Sequence, residues 1–340
     1  MFYIKMKKVM NRVNFWLLGF LFAGMVFVSC EKDEDVNVTN EAEVLVEYLE
    51  SANSPLQKDY VNSDLPSIML AQDVRTLNAT GDVYIVDIRS AADFESGHIA
   101  NAHNVALGDI LTHLDNADLS DIDKIAVVCY TGQTAGYATS LLRLMGYDNA
   151  FSMKWGMCSW NEEFAGKWKS NMGNAYATQF TTDVNTKGAE GELPVLSTGL
   201  ETGQEILEAR VNTLLTSPDE GFGAAKITNQ AVLSNPDNYY IINYWPQAHY
   251  EDPGHIPGAI QYTPKQSLAL NADLTTLPTD KTIVVYCYTG QTSAFLSAYL
   301  RLLGYDAKSL LFGANGMIYD NMAEIGHRFS DGAVMGYEYE

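Results

Sequence analysis

The chain has 340 residues, of which 47% are hydrophobic and 19% charged, and its formal net charge is −21. This composition is too apolar for a disordered chain, and the length suits two domains with cores of their own. The acidity argues against nucleic acid or anionic lipid surfaces as partners, and it does nothing to draw small anions inward.

The chain opens with Lys5, Lys7, Lys8 and Arg12 and continues into an apolar run over 15–28. That run is short for a membrane-spanning helix and suits an export signal. It ends in Phe27-Val28-Ser29-Cys30, which resembles the lipobox of bacterial lipoproteins, although Phe27 stands where leucine is usual. The following Glu31-Lys32-Asp33-Glu34-Asp35 resembles the acidic stretch that some Gram-negative bacteria use to send lipoproteins to the cell surface. Residues 1–29 are thus expected to be a signal peptide and Cys30 the lipidation site. The expected location is the cell envelope, at the periplasmic or outer face of the outer membrane, with membrane contact only through the lipid. Cys129, Cys158 and Cys287 remain, an odd number, so at least one free thiol is expected.

The remainder repeats itself. Cys129-Tyr130-Thr131-Gly132-Gln133-Thr134 returns as Cys287-Tyr288-Thr289-Gly290-Gln291-Thr292, and Leu141-Leu142-Arg143-Leu144 returns at the same offset as Tyr299-Leu300-Arg301-Leu302. A period this long means duplicated domains. In chain order we expect a tether with a helix near 43–49 (residues 30–59), a first domain (60–166), a linker with a helix near 204–215 (167–224) and a second domain (225–340). Within the copies, 84–88 and 240–244 read as strands. So do 125–128 and 283–286, which are apolar on both faces as a buried parallel strand requires. Each is followed by a short loop and an amphipathic helix, with Ala138, Leu141, Leu142 and Met145 in the first copy and Leu296, Tyr299, Leu300 and Leu303 in the second. The order strand, loop, helix implies an α/β fold in each copy: a central parallel sheet flanked by helices, with the ligand site at the carboxyl ends of the strands.

Cys129 and Cys287 stand at that step. A thiol between a buried strand and a helix N-terminus faces unpaired backbone N–H groups and the positive end of the helix dipole. The loop residues Tyr130, Thr131, Gly132, Gln133 and Thr134, and Tyr288, Thr289, Gly290, Gln291 and Thr292, provide a close-approaching backbone and polar donors, so together they form a candidate anion cradle. A thiolate so placed is expected to attack a sulfane sulfur and hold the persulfide, and its pKa is expected to be modestly depressed.

Three motifs in the first copy and two in the second carry a family resemblance. Val86-Asp87-Ile88-Arg89, Gly97-His98-Ile99 and the first cysteine loop, with Gly254-His255-Ile256 and the second loop, resemble the rhodanese family over about 60–165 and 225–330. The resemblance implies two tandem rhodanese-like domains and sulfur transfer through a cysteine persulfide. The implied partners are a small sulfur-containing anion of the thiosulfate type, or a persulfide donor, and a thiol acceptor. Asp87 and Arg89 match the pair that supports the loop in that family, whereas Asn243 and Trp245 replace it in the second copy, so Cys129 is expected to outrank Cys287. Phosphatase relatives use a longer loop with an arginine, which is missing here. Many thiosulfate-using members carry a loop cation, and neither loop here has one.

His98 and His255 are expected to be structural. No His/Cys cluster has metal-ligand spacing, so neither metal nor cofactor is expected. Cys158 is a candidate resolving thiol for Cys129. Three functions remain open: a sulfurtransferase, a rhodanese-fold interaction module without turnover, and an envelope redox protein using Cys129 and Cys158.

Overall fold

The computed structural model describes residues 40–340; Cys30 and the export signal lie outside them. Two five-stranded parallel sheets form the molecule. The first contains β1 (Ile68–Met69), β2 (Val83–Asp87), β3 (His103–Asn104), β4 (Lys124–Val128) and β5 (Ala150–Met153), in the order β1-β5-β4-β2-β3. The second contains β6 (Lys226–Ile227), β7 (Tyr240–Asn243), β8 (Ile260–Gln261), β9 (Ile283–Tyr286) and β10 (Ala307–Leu310), in the corresponding order β6-β10-β9-β7-β8. The two tandem α/β domains expected from the repeat are present. Central strands β4 and β9 are the apolar runs of the sequence, and each ends one residue before a cysteine. No helix of the described residues is long and apolar enough to cross a membrane.

The helices after the two cysteine loops, Gln133–Leu144 and Gln291–Leu302, are buried on nearly every side, not only on the face the periodicity marked. One side of each covers its own sheet, and the other packs against its counterpart in the other domain. A side-chain carbon at Gly136 would come within 3.1 Å of the Phe295 ring and of the Gln291 carbonyl, so the helices touch where the first has no side chain. Beside that point the buried Ser140 hydroxyl donates to the Phe295 carbonyl at 2.9 Å. Such a seam binds the domains by the burial of apolar side chains such as Phe295, each contributing about 1.5–3 kcal/mol.

Each domain also sends the segment after its last strand onto the other. The stretch 167–200 crosses to the second sheet, where Thr181 and His255 exchange both backbone hydrogen bonds at 2.9 Å. The chain end returns to the first sheet, where Glu340 and His98 make the same exchange at 2.9 and 2.8 Å. The two Gly-His-Ile motifs are thus docking corners for the other copy's tail. Each imidazole is tied down locally, with Nδ1 of His98 on the Phe94 carbonyl at 3.0 Å and Nδ1 of His255 on that of Tyr250 at 2.8 Å.

The helix Glu41–Glu50 packs on the helix Gly203–Thr216, and the Glu50 carboxylate accepts the Leu270 N–H of the second domain at 2.7 Å. Burial pushes the Glu50 carboxyl up to about 7, with the charge of Asp59 adding to the rise and the Leu270 N–H opposing it. The fold therefore prefers the protonated form. Ionisation opposes folding, an effect absent below the ordinary carboxyl range, growing as pH rises through about 7 and persisting above. Glu50→Gln is expected to raise the melting temperature by a few degrees at pH 8 and to leave it unchanged at pH 4, as read by thermal denaturation at both pH values.

Candidate functional site

In both loops the strand delivers the cysteine and a left-handed glycine turns the chain into the helix: Gly132 has φ +83° and Gly290 has φ +75°. The Cys129 sulfur accepts the N–H groups of Gly132 at 3.2 Å and Ala135 at 3.3 Å. The Cys287 sulfur accepts the N–H of Ser293 at 3.3 Å and lies 3.6 Å from the Ser293 hydroxyl. The first sulfur thus accepts two backbone N–H groups at the helix N-terminus and the second accepts one.

The electrostatics differ from expectation. Burial pushes the Cys129 thiol above its ordinary range; the N–H groups of Ala135, Thr131 and Gly132 pull against this, and the Asp87 carboxylate adds to the rise. The modest depression expected from the helix terminus is thus overturned. At 4% exposure the loss of hydration outweighs the dipole and the hydrogen bonds. Cys158 is buried too. It donates to the Phe164 carbonyl at 3.0 Å, and burial pushes its pKa up to about 12. All three cysteines are free thiols.

Asp87 and Arg89 form a buried ion pair at the end of β2, with Nη2 2.6 Å from the carboxylate and 2.8 Å from the Gly97 carbonyl. The guanidinium carbon lies 5.7 Å from the Tyr130 ring centroid, and the Lys167 ammonium lies 3.7 Å from it. In the second copy Asn243 takes the place of Asp87 and donates to the hydroxyl of Tyr286 at 2.7 Å, while Tyr286 stands where the first copy has Val128. Trp245 replaces Arg89 and stacks on Tyr288 at 4.8 Å, with His327 stacked on Tyr288 at 4.3 Å. The second loop has therefore exchanged an ion pair for an amide–phenol pair and an aromatic stack. Comparing only the Asp-x-Arg positions hides this, because half the exchange occurs at Val128 and Tyr286 on the neighbouring strand.

The two glutamines leave their own loops. The Gln133 side-chain oxygen accepts the Phe312 N–H at 2.8 Å, and the Gln291 oxygen accepts the Trp155 N–H at 3.0 Å. Each therefore binds the second residue after the last strand of the other domain. Both receiving residues are left-handed, Trp155 at φ +67° and Phe312 at φ +62°. The loop glycines leave room for the exchange: a side-chain carbon at Gly132 would meet Gln291 at 2.2 Å, and one at Gly290 would meet Gln133 at 2.4 Å. Gln133 also donates to the Thr131 hydroxyl at 3.1 Å, and the Trp168 indole N–H covers the first loop by donating to the Thr131 carbonyl at 3.1 Å. Thr134 is half-buried.

Cys287, itself 2% exposed, stands in the wall of a cavity of about 380 Å³ between the domains. Tyr288, Thr289, Gln291, Thr292 and His327 line it from the second domain, and Ile68, Leu70 and Lys154 from the first. Burial lowers the Lys154 ammonium below the ordinary lysine range. His327 is also held down, by burial and then by the charges of Lys154 and His249. Lys154, His327 and Trp168 were missed by sequence reasoning. A visible signal for Lys154 is its counterpart in the repeat, Leu311, which likewise follows the last strand of its sheet. Gln291→Ala leaves the buried Trp155 N–H without a partner, so it is expected to cost about 1–3 kcal/mol of stability in urea unfolding; an unchanged midpoint refutes the exchange as a structural tie.

Comparison with known proteins follows the repeat. The rhodanese-like domain model matches residues 70–163 and 229–317. The thiosulfate sulfurtransferase GlpE of Shewanella oneidensis is 34% identical over 80 residues, covering 24% of this chain and 77% of that protein. The adenylyltransferase and sulfurtransferase uba4 of Ogataea parapolymorpha is 29% identical over 90 residues; the match spans 26% of this chain and only 23% of that protein. The crystal structure of the thiosulfate sulfurtransferase from Pseudomonas aeruginosa aligns with 74% of this chain and 44% of its own, at 17% identity and a TM-score of 0.27. With matches in both copies that together cover more than half of its length, the chain belongs to the rhodanese-like family and carries the domain twice.

Proposed function

We propose that the protein is a sulfurtransferase that carries sulfane sulfur as a persulfide on Cys287, with an anionic donor of the thiosulfate type and a thiol acceptor. One observation carries this reading: the Cys287 sulfur accepts the Ser293 N–H at the start of the helix and also lies in the wall of the interdomain cavity. After the thiol loses its proton to solvent, the thiolate attacks the outer sulfur of the donor. A sulfur–sulfur bond forms to Cys287, the bond to the sulfonate sulfur breaks, and sulfite leaves with the electron pair. An acceptor thiolate, or cyanide in an assay, then takes the terminal sulfur and restores the cysteine thiolate. Helix-terminal N–H groups stabilise the negative sulfur throughout. The Thr289 and Thr292 side chains and the Tyr288 ring bound the space for the donor.

Cys129 is the second candidate carrier, with Tyr130, Thr131 and Thr134 around it. Its loop lies under Trp168 and its thiol feels the Asp87 carboxylate, which supports a ranking opposite to the one that the Asp-x-Arg motif suggests. Cys129→Ser is expected to keep most cyanide–thiosulfate turnover and Cys287→Ser to lose it. The opposite ranking would return the role to the first copy, and absence of turnover in the unmodified chain favours an interaction module.

The remaining part of the proposal is placement: Cys30 carries the lipid and holds the protein at the outer membrane of the envelope. In cells, Cys30→Ala is expected to leave unprocessed precursor and to abolish lipid labelling; processing that proceeds unchanged would refute the anchor.

A further inference from the structure

We propose that Lys154, a residue of the first domain, is the cation that holds the anionic group of the sulfur donor beside Cys287. This rests on the reading of Cys287 as the sulfur-carrying thiol, and it supplies from the opposite domain the positive charge that both loops lack. Lys154 and Cys287 line the same cavity.

The second loop itself fixes the backbone at this point. Gln291, four residues after Cys287, accepts the Trp155 N–H at 3.0 Å with its side-chain oxygen, and its amide nitrogen lies 3.5 Å from the Met153 carbonyl. One side chain of the second loop thus spans both neighbours of Lys154. The Lys154 N–H is also held, donating to the Met69 carbonyl at 2.8 Å. Among the described residues no carboxylate lies within ion-pair distance of its ammonium, which leaves that charge available to a ligand. Its partial burial, which also lowers its pKa, removes competing water and strengthens its attraction for an anion.

The duplicated site provides an internal comparison. Leu311 occupies the corresponding position after β10, and its N–H donates to the Ile227 carbonyl at 2.9 Å, just as that of Lys154 donates to Met69. Gln133 of the first loop binds Phe312 next to it, as Gln291 binds Trp155. The same backbone device therefore carries a lysine beside the second loop and a leucine at the equivalent position after β10. The first domain supplies the charge used at the second site, and the second domain returns an apolar side chain. Lys154 forms no bond in the transfer; it binds the sulfonate or other anionic group of the donor and leaves the displacement to Cys287.

Two readouts on the full chain separate this from the sulfurtransferase reading. The first is alkylation of Cys287 by iodoacetate and by iodoacetamide, quantified on its peptide by mass spectrometry. Lys154→Met and Lys154→Gln are each expected to lower the iodoacetate-to-iodoacetamide rate ratio several-fold, and Lys154→Arg to retain it. The second is thiosulfate turnover, in which the neutral variants are expected to raise KM roughly tenfold with a smaller change in kcat. An unchanged ratio in both neutral variants overturns the proposal, as does a parallel fall of both alkylation rates, which would make Lys154 a wall of the cavity only. A fallen ratio in a chain that shows no turnover keeps the anion site and removes the sulfurtransferase reading.

Discussion

Contact between the two loop helices is the constraint on which the site depends. Gly136 brings Phe295 against the first helix, and that approach places the helix N-termini close enough for Gln133 and Gln291 to cross into opposite domains. Each glutamine satisfies a backbone N–H at the end of the other sheet, which a buried chain would otherwise leave unpaired at a cost of about 1–3 kcal/mol. The exchanged tails at His98 and His255 extend the same two-fold pattern to the outer corners. A loop that looks self-contained in one domain is therefore shaped by residues of the other.

On this symmetric frame the copies have diverged in charge. The first keeps the buried Asp87–Arg89 pair, so a full carboxylate lies near its thiol. The second has a neutral Asn243–Tyr286 pair, an aromatic stack on Tyr288, and Lys154 from across the boundary. An anion approaching the second thiol meets a cation and no buried carboxylate in these positions. In the proposed reading this local arrangement offsets an overall charge of −21, which by itself steers small anions away. Net charge governs the approach from a distance, whereas inside a partly dehydrated cavity a nearby ammonium dominates.

The Cys129 thiol shows how two real effects compete. Helix-terminal N–H groups are aimed at its sulfur, as the strand–loop–helix order implies, and they lower its pKa. The same packing that aims them removes water from the thiolate, and the dehydration is larger. Geometry favourable to an anion therefore does not guarantee a depressed thiol; access to solvent or to a counter-charge must accompany it.

The sequence by itself determined the repeat, the α/β class, the parallel sheets and the cysteine at each strand-to-helix step. These follow from short-range rules: apolar runs buried on both faces, a glycine at the turn, and helical spacing after it. It also marked the second copy as altered at Asn243 and Trp245. What only the tertiary structure decided were relations between distant segments. Gln133 and Gln291 read as donors to a ligand in their own loops, but the seam turns them onto the other domain. Tyr286 reads as core filling, but the pairing of β7 with β9 sets it against Asn243. Lys154 lies far in the chain from Cys287, and no local period connects them. Burial and charge at a site depend on which groups exclude water there, and those groups come together only when the two domains close on each other.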